Sequence, residues 1–274
     1  MNNRQTTLKA PIEISGVGLH TGLEVKITLQ PAGIGHGYKF KRVDIENQPV
    51  IPADCDLVVD VERGTTLEKN GAKIGTIEHL LAALVGCEVD NVLIEVNAPE
   101  IPIMDGSSGP FVQEIKKVGK VEQQAERQYL VIEENTLFNI PERHIDMIAM
   151  PYDDGTRMTV MIDYNSPVLG SQHASITSMD QFENEVASSR TFCFLHELEA
   201  LAKANLIKGG DLENAIVIVD RKVEENELND LAQLLNKERV EVKEEGILNN
   251  VDLRHQNEPA RHKLLDLIGD LELV

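Results

Sequence analysis

The chain has 274 residues, of which 42% are hydrophobic and 4% aromatic, and its 26 Lys and Arg against 46 Asp and Glu give a formal net charge of −20. This length allows one large domain or two of ordinary size, with a core of aliphatic side chains. So acidic a surface argues against nucleic-acid binding, which needs Lys and Arg to neutralise phosphates. An anionic substrate would therefore have to be held by local basic groups.

The cysteines and the N-terminal sequence bear on the cellular compartment. Three cysteines, Cys55, Cys87 and Cys193, show no disulfide-framework spacing, which is typical of a reducing environment. The first residues lack the apolar core of a signal peptide, and no apolar run is long enough to span a bilayer. We therefore predict a cytoplasmic protein that is not an integral membrane protein.

The start of the chain predicts antiparallel strands. Residues 7–15 and 23–30 alternate apolar and polar side chains, as half-buried strands do. Between them, residues 16–22 (GVGLHTG) have the glycine spacing of a dinucleotide-binding loop, but a strand pattern rather than a helix follows. We therefore expect a glycine-rich hairpin turn that carries an exposed His20.

The first helix is predicted over residues 75–86 (GTIEHLLAALVG), with Thr76 as its cap and Gly86 at its end. Its apolar residues form one stripe. Glu78 and His79 lie in the first turn, off that stripe and about 100° apart around the axis. His79 is thus expected to be free to bind a ligand, with Glu78 beside it.

The middle of the chain predicts a domain boundary. A buried strand, a proline-rich loop and a second helix are expected first, at 91–97, 99–108 and 111–118. The charged stretch 116–127 then separates the predicted domains, 1–125 and 126–274. Alternating strand patterns restart beyond it, at 129–134, 144–150 and 158–163. Because each half opens with strands and later carries a helix with a histidine near its start, an internal duplication is indicated.

The second half continues with a strand, a helix, a glycine break and a buried strand, predicted at 190–194, 196–205, 208–211 and 215–219. Residues 224–245 are dense in charge and are interpreted as a solvated amphipathic helix.

A further helix is predicted near residue 270, with Asn257 as its N-cap and Pro259 in its first turn. It places His262, Asp266 and Asp270 on one face at successive turns. Its opposite, core-facing side is predicted to consist of Leu264, Leu267, Ile268 and Leu271. An imidazole and a carboxylate on one helical face form half of a zinc site, and the alternative is a solvated polar face.

Six segments together resemble the zinc-dependent UDP-3-O-acyl-N-acetylglucosamine deacetylases of lipid A biosynthesis. They are 16–22 (GVGLHTG), 76–80 (TIEHL), 97–106 (NAPEIPIMDG), 190–192 (RTF), 208–210 (KGG) and 261–270 (RHKLLDLIGD). The resemblance runs from one end of the chain to the other. It implies an α+β fold of two similar domains, each an antiparallel sheet packed with helices, whose helical layers face each other across the active-site cleft.

The same resemblance implies roles for particular residues. A zinc ion would be held by His79, His262 and Asp266, with a fourth position open for water, as in catalytic zinc sites. The catalytic residues implied are Glu78 as general base, Thr191 as a donor to the oxyanion and Asp270 as an orienting group. The substrate-binding residues implied are His20, Tyr164, Phe192, Gly209, Gly210 and Lys263. Tyr152, like Tyr164, matches an aromatic near the uracil, and the alternative for both is an ordinary strand-edge tyrosine.

The implied reaction removes the N-acetyl group of UDP-3-O-(3-hydroxyacyl)-N-acetylglucosamine, an acylated UDP-sugar, and releases acetate. One alternative is another zinc amidohydrolase on the same fold that acts on a different N-acylated substrate. A second is a catalytically impaired fragment that only binds zinc and a nucleotide sugar.

In the family, a further strand and helix with a Ser-Gly-His motif follow the helix that contains RHKLLDLIGD. We therefore expect the last βα unit of the second domain to be absent from this chain. Some family members continue into a fused hydroxyacyl-carrier-protein dehydratase, and the same fusion is one expectation for a longer form of this chain.

Overall fold

A computed structural model describes residues 3–153, 155–198, 214–234, 239–243, 246–248 and 251–274. The strands are β1 (Arg4–Leu8), β2 (Ile12–Val17), β3 (Glu24–Pro31), β4 (Tyr38–Arg42), β5 (Val50–Pro52), β6 (Val58–Asp60), β7 (Thr66–Lys69), β8 (Ala72–Ile74), β9 (Val92–Val96), β10 (Lys120–Glu126), β11 (Thr136–Ile140), β12 (Ile145–Ala149), β13 (Met158–Asp163), β14 (Ser171–Ile176), β15 (Phe192–Phe194) and β16 (Ile216–Ile218). The α-helices that lie wholly within the described residues are α1 (Glu78–Gly86), α2 (Gly109–Val118), α3 (Phe182–Glu185), α4 (Glu225–Leu234) and α5 (Glu258–Leu271).

The α+β class predicted from the sequence is confirmed. The largest sheet has the strand order β2-β3-β9-β4-β5. Alternation in β3 buries Val25, Ile27 and Leu29 on one face, as predicted. The prediction of a purely antiparallel sheet is wrong, because β4 and β9 pair in parallel. The chain between them contains α1 and the small sheet β6-β7-β8, and a connection of this length can bring two strands into parallel alignment.

The charged stretch that was predicted as the domain boundary is regular structure. Its second part forms β10, which pairs antiparallel with β1 so that Leu8 lies opposite Lys120. Just beyond β10, the Nε atom of Arg127 donates to Asp90 Oδ1 at 2.7 Å. The stretch is polar because most of β10 faces solvent. A boundary at residue 125 stays a prediction, and the main apolar cluster contains residues from both sides of it.

The second half contains two hairpins, β11-β12 and β13-β14, and the parallel pair β15-β16. The strand predicted at 129–134 is wrong, since no strand forms there and β11 begins at Thr136. The apolar runs of β11 and β12 lie on the surface, where Leu137 is 70% and Ile148 is 61% exposed. Alternation alone could not tell this exposed hairpin from a half-buried one.

Part of the predicted helix at 196–205 lies outside the described residues, as does the glycine break at 208–211, whereas 195–198 are helical. Helix α4 occupies part of the charged stretch 224–245. It is not fully solvated, because Leu231 and Ala232 are buried in a small second apolar cluster with Val217 and Val219.

Helix α5 packs along α1 and against β13 and β14, so it is surrounded by protein rather than half exposed to solvent. Leu264, Leu265 and Ile268 are buried as core residues, whereas Leu271, predicted to face the core, is 42% exposed. Asn257 occupies the N-cap position but its side chain makes no capping hydrogen bond, and its Nδ2 donates instead to His173 O at 2.7 Å. His262, on the face predicted to be polar, is 2% exposed, so this face is not a solvated one.

Over the described part of the chain, helices are all too short or too polar to cross a lipid bilayer.

Candidate active site

Helix α1 supplies the first two side chains of the site. Its residues from Glu78 to Leu84 are all buried, so the helix is enclosed by protein on every side. Thr76, predicted as its cap, instead has a left-handed backbone conformation with φ of 55°, and Ile77 is the N-cap. The turn at Thr76 starts the helix so that Glu78 and His79 occupy its first turn, where both side chains are enclosed rather than free in solvent.

Helix α5 brings two more groups to the first turn of α1. His79 Nε2 lies 3.6 Å from Asp266 Oδ1, and His262 Nε2 lies 3.4 Å from the same oxygen. The two imidazole rings meet edge to face with centroids 5.0 Å apart. His79, His262 and Asp266 thus form one cluster whose potential ligand atoms all lie within 4.8 Å of one another.

The cluster fits a divalent metal ion. Asp266 Oδ1 is buried and has no hydrogen-bond partner among the described residues, and a buried oxygen without a partner is costly unless a ligand engages it. Ligand atoms about 2.1 Å from a tetrahedral zinc ion are separated by about 3.4 Å, similar to the spacings measured here. Two imidazoles and one carboxylate are also a donor set that zinc accepts at catalytic sites.

The charges within the cluster are strongly coupled. Burial lowers the pKa of His262 to about 4, so this imidazole is neutral and its Nε2 can be a ligand. Burial also acts to raise the pKa of Asp266, but the positive charges beside it, that of His262 when protonated and that of Lys263, outweigh this effect, so the pKa of Asp266 is lowered and the carboxyl is ionised. For His79, the opposing burial effect is exceeded by the neighbouring Asp266 carboxylate, 3.6 Å from Nε2, and by the charge of Glu78, so the pKa of His79 is raised.

Thr65, which the sequence did not indicate, connects two acidic groups beside the cluster. Its backbone N–H donates to Glu78 Oε2 at 3.0 Å, and its hydroxyl donates to Asp270 Oδ1 at 2.6 Å. Burial raises the pKa of Glu78 to about 7 and that of Asp270 to about 6. A carboxyl group with a pKa near 7 can accept and release protons at neutral pH.

A basic and aromatic rim adjoins the cluster. Lys263 Nζ donates to Asp266 Oδ2 at 3.1 Å and lies 5.6 Å from the centroid of the Phe192 ring. The charge of Asp266 is the main reason why the pKa of Lys263 is raised. The Phe192 ring also lies 6.4 Å from His262 and 5.8 Å from Tyr164, so the structure brings three of the six predicted substrate-binding residues, Lys263, Phe192 and Tyr164, to one rim.

Thr191 is held in place by its backbone. Its N–H donates to Gly106 O at 2.8 Å, and its carbonyl accepts from Ile216 N at 2.9 Å. Gly106 has φ of 83°, and a Cβ there would lie 1.9 Å from Asn214 O, so the close approach of these two chains requires glycine. Both neighbours of the Arg190–Thr191 pair, Ser189 and Phe192, contact His262. Thr191 therefore lies on a segment that passes the cluster.

His20 is less exposed than predicted and is turned toward protein. Its backbone N–H donates to Glu100 Oε1 at 3.0 Å, and the hydroxyl of Thr21 donates to Glu100 Oε2 at 2.9 Å. Thr76, next to α1, donates its hydroxyl to the same carboxylate at 3.1 Å. The His20 Nε2 atom is buried without a hydrogen-bond partner within the described chain. Glu100 thus ties the turn of residues 16–22 to the start of α1.

The remaining predicted site residues are not joined to the cluster by a described contact. Tyr152 is 50% exposed in the segment after β12. Gly209 and Gly210 lie outside the described residues. Two further residues at the cluster were missed by the sequence analysis: Ser108, whose hydroxyl donates to His79 O at 2.7 Å, and Ser189, whose carbonyl accepts from His262 Nδ1 at 3.0 Å. Each of these two hydrogen bonds is accepted by a backbone carbonyl. The sequence around a serine does not predict such a bond.

The site is a buried cluster of two histidines and one carboxylate, and a carboxyl group with a near-neutral pKa lies beside it. These features define the class of protein as one with a candidate catalytic metal centre. Comparison with known proteins identifies the family. The sequence model of the UDP-3-O-acyl N-acetylglycosamine deacetylases matches residues 5–233 and 232–274. The chain belongs to this family.

Curated relatives agree with the family assignment. The chain is 50% identical to the bifunctional enzyme LpxC/FabZ of Chlorobaculum tepidum over 98% of its own length and 58% of that protein's. It is 48% identical to the protein of the same name from Porphyromonas gingivalis, with 99% and 58% covered. A UDP-3-O-acyl-N-acetylglucosamine deacetylase of a Psychrobacter species is 40% identical, with 99% and 83% covered. The chain therefore spans about three fifths of the length of its bifunctional relatives.

Proposed function

We propose that this chain is a zinc-dependent deacetylase that hydrolyses the N-acetyl group of UDP-3-O-(3-hydroxyacyl)-N-acetylglucosamine and releases acetate. The observation that carries the proposal is the meeting of His79 with His262 and Asp266, around a buried Asp266 Oδ1 that has no hydrogen-bond partner among the described residues, in a member of this family. Relatives that share 37% to 40% identity with the chain bear the name of this deacetylase.

The proposed ligands are His79, His262 and Asp266. When bound there, zinc supplies Lewis acidity, which lowers the pKa of water and polarises a carbonyl oxygen. The chain contributes the ionised Asp266 carboxylate and the neutral imidazole of His262. The carbonyl of Ser189 holds the proton of His262 on Nδ1, since that nitrogen lies 3.0 Å from this oxygen, and Nε2 is then left with a lone pair.

Glu78 is proposed as the general base. Its pKa of about 7 means that half of the carboxyl groups are ionised and able to accept a proton from the attacking water near neutral pH. The Thr65 N–H keeps Glu78 Oε2 in place, and the Thr65 hydroxyl does the same for Asp270. Asp270 is therefore proposed as an orienting group, which acts on Glu78 through Thr65.

Thr191 is proposed to donate its hydroxyl to the oxyanion that develops as the acetamide is attacked. Lys263 provides the local positive charge that an anionic nucleotide sugar needs on a chain of net charge −20. Phe192 and Tyr164 present aromatic surface beside Lys263 and are proposed to contact the substrate. His20, Gly209 and Gly210 complete the proposed substrate-binding set on the strength of the family resemblance.

The finer features of the architecture are also part of the proposal. We propose a division into domains 1–125 and 126–274, with the cluster between α1 of the first and α5 of the second. A further βα unit is proposed to complete the second domain, in support of which Leu137 and Ile148 expose apolar surface on β11-β12. A dehydratase fusion is supported by relatives that are named as bifunctional. A cytoplasmic location stays a prediction, in keeping with three free cysteines.

The proposal is tested by separating metal binding from turnover. His79→Ala and Asp266→Ala should each reduce bound zinc sharply, whereas Glu78→Gln should retain zinc and lower acetate release on the order of 10² to 10⁴-fold. Zinc is measured by elemental analysis, and acetate release is measured with the acylated UDP-sugar on this chain and on one that continues through the proposed βα unit.

Full zinc occupancy in both alanine variants would show that the ligands are wrongly assigned. Loss of zinc from Glu78→Gln would make Glu78 a ligand rather than the base. A wild-type chain that binds zinc but hydrolyses only other N-acylated substrates would support the alternative amidohydrolase. If zinc binds and the acylated UDP-sugar is hydrolysed only by the extended chain, the present chain is the catalytically impaired fragment.

A further inference from the structure

A buried charged pair, Arg190 with Glu258, lies one helical turn from the metal cluster and has no part in the proposed chemistry. Glu258, in the first turn of α5, is fully buried, and Arg190 is 5% exposed. The guanidinium of Arg190 donates through Nε to Glu258 Oε1 at 2.9 Å and through Nη2 to Oε2 at 3.2 Å. A buried ion pair contributes little net stability compared with apolar residues of similar volume, so its presence at this point calls for another reason.

Glu258 also accepts a hydrogen bond from backbone. The N–H of Arg190 donates to Glu258 Oε1 at 3.0 Å. That N–H belongs to the peptide unit whose carbonyl is Ser189 O, and this carbonyl accepts from His262 Nδ1 at 3.0 Å. The Ser189–Arg190 peptide is therefore held on both edges by α5. Glu258 and His262 are four residues apart, which places them on the same face of the helix at successive turns.

This arrangement determines where the imidazole of His262 carries its proton. A neutral imidazole has one N–H, and the proton can be on either nitrogen. An acceptor fixed at Nδ1 selects the Nδ1–H form and leaves the lone pair on Nε2, which faces Asp266 Oδ1 at 3.4 Å. Because a peptide group is planar, an acceptor that fixes the direction of the N–H also fixes the direction of the carbonyl on its opposite side.

We propose that Glu258 is a positioning residue for His262, and that it acts through the Ser189–Arg190 peptide to select the imidazole tautomer that can bind metal. The proposal rests on the proposed function only in taking His262 as a ligand. The negative charge of Glu258 suits its position in α5, since a carboxylate in the first turn of a helix is stabilised by the helix dipole. Hydrogen bonds from Arg190 and from the backbone N–H of Arg254 hold the pKa of Glu258 below its usual value against the effect of burial.

The competing explanation is that the pair merely holds chain segments together. Arg190 Nη2 also donates to Asp252 O at 2.5 Å, and Arg254 N donates to Glu258 Oε2 at 2.6 Å, so the pair does join α5 to the segment before it. The two roles make different predictions for a variant that lacks the carboxylate but keeps the stability of the wild type. A structural role predicts normal zinc binding by such a variant, and a positioning role predicts weakened zinc binding. Replacing a buried ion pair by apolar residues of similar volume is often neutral or stabilising.

The test uses Glu258→Gln and the double variant Arg190→Met with Glu258→Met. In the metal-free chain, nitrogen NMR of the His262 ring reports the tautomer, and thermal denaturation reports stability. Zinc affinity is measured by competition with a chelator. Glu258→Gln should show a mixture of tautomers and zinc binding that is about 10 to 100-fold weaker, the usual effect of losing a group that orients a ligand. The double variant should recover most of the melting temperature but keep the mixed tautomers and the weak binding.

The control is Glu185→Gln, which removes a carboxylate from the exposed pair that Arg261 of α5 forms at 2.6 Å. Its zinc affinity should stay within twofold of that of the wild type. A double variant with wild-type zinc affinity and a pure Nδ1–H ring would overturn the proposal. If neither variant folds, the metal-free wild-type chain decides, since a mixed or Nε2–H tautomer of His262 there contradicts it. Failure of the wild type to bind zinc counts against the proposed function and not against the tautomer assignment, which is made without metal.

Discussion

The two helices that carry the cluster cross at a glycine, and adding one methyl group there tests how closely the site depends on their separation. A Cβ on Gly269 would lie 2.1 Å from the carbonyl oxygen of Glu78 and 3.1 Å from its Cα atom, whereas ordinary contacts begin at 3.4 Å. Both atoms belong to the backbone of α1 and cannot rotate away. Gly269→Ala must therefore move α1 and α5 apart by about 1 Å at this point.

The expected loss of stability follows from two opposed effects. Forcing an extra methyl group into a packed interior costs about 1 to 3 kcal/mol, and replacing glycine by alanine within a helix returns up to about 1 kcal/mol. A mid-range cost of about 2 kcal/mol, less up to about 1 kcal/mol returned, leaves a net loss of about 1 to 2 kcal/mol. This loss corresponds to a melting temperature about 2 to 8 °C lower for a chain of this size. Because Asp266 is three residues from Gly269, its 3.6 Å approach to His79 should widen as well, and zinc affinity should fall at least about tenfold.

The assay is thermal denaturation of the metal-free chain together with zinc affinity by chelator competition. The matched control is Gly33→Ala, because a Cβ at Gly33 meets no atom within 4 Å. This variant should change neither quantity measurably. If Gly269→Ala leaves both the melting temperature and the zinc affinity at the wild-type values, the helices do not depend on this contact and the reasoning is wrong.

Three further predictions follow from buried groups. Burial raises the pKa of Glu272 to about 7 from 4.5, so the folded state favours the neutral form, and the stability this provides is present at low pH and lost as the pH rises from about 4.5 to 7. The free energy of unfolding should change by at most about 3 kcal/mol over this range. Glu272→Gln should remove that pH dependence in urea titrations, and a pH profile like that of the wild type would contradict the prediction. Glu100→Gln removes the carboxylate that accepts from the backbone N–H groups of His20 and Thr21. It should lower the free energy of unfolding by about 1 to 3 kcal/mol and speed hydrogen exchange at both amides. Exchange rates equal to those of the wild type would show that Glu100 does not hold this turn. Zinc at a hundredfold excess over its Kd should stabilise the wild type by about 2.7 kcal/mol but not His262→Ala, and equal stabilisation of the two would remove His262 from the ligand set.

The sequence by itself determined the elements whose signals are local. The apolar stripe between Thr76 and Gly86 predicted α1, and Asn257 with Pro259 predicted the start of α5 to within a residue. In these segments the signals are the helical spacing of apolar residues, a glycine at the helix end and a proline in the first turn. Each is favoured by the geometry of the helix itself. The ordered motifs were sufficient for the family, which the comparisons then showed.

Local signals were less reliable where neighbours decide burial. Leu271 has the helical spacing of a core residue yet is 42% exposed, and the face of α5 that bears His262 looked polar yet is enclosed by α1. The charged stretch 116–127, predicted as a domain boundary, has few apolar residues, yet its second part is a strand that pairs with β1. In each case the same pattern of side chains is compatible with two environments, and packing selects one of them.

Tertiary structure alone brought together His79 and His262, which are far apart in the chain, and enclosed them with Asp266. It also assigned roles to Thr65 and Ser189, which act on the site through a backbone N–H and a backbone carbonyl. Every residue except proline carries both of these groups. A contact made by the backbone therefore leaves no mark on the amino-acid sequence, and it is established only when the folded chain fixes which peptide group faces which side chain.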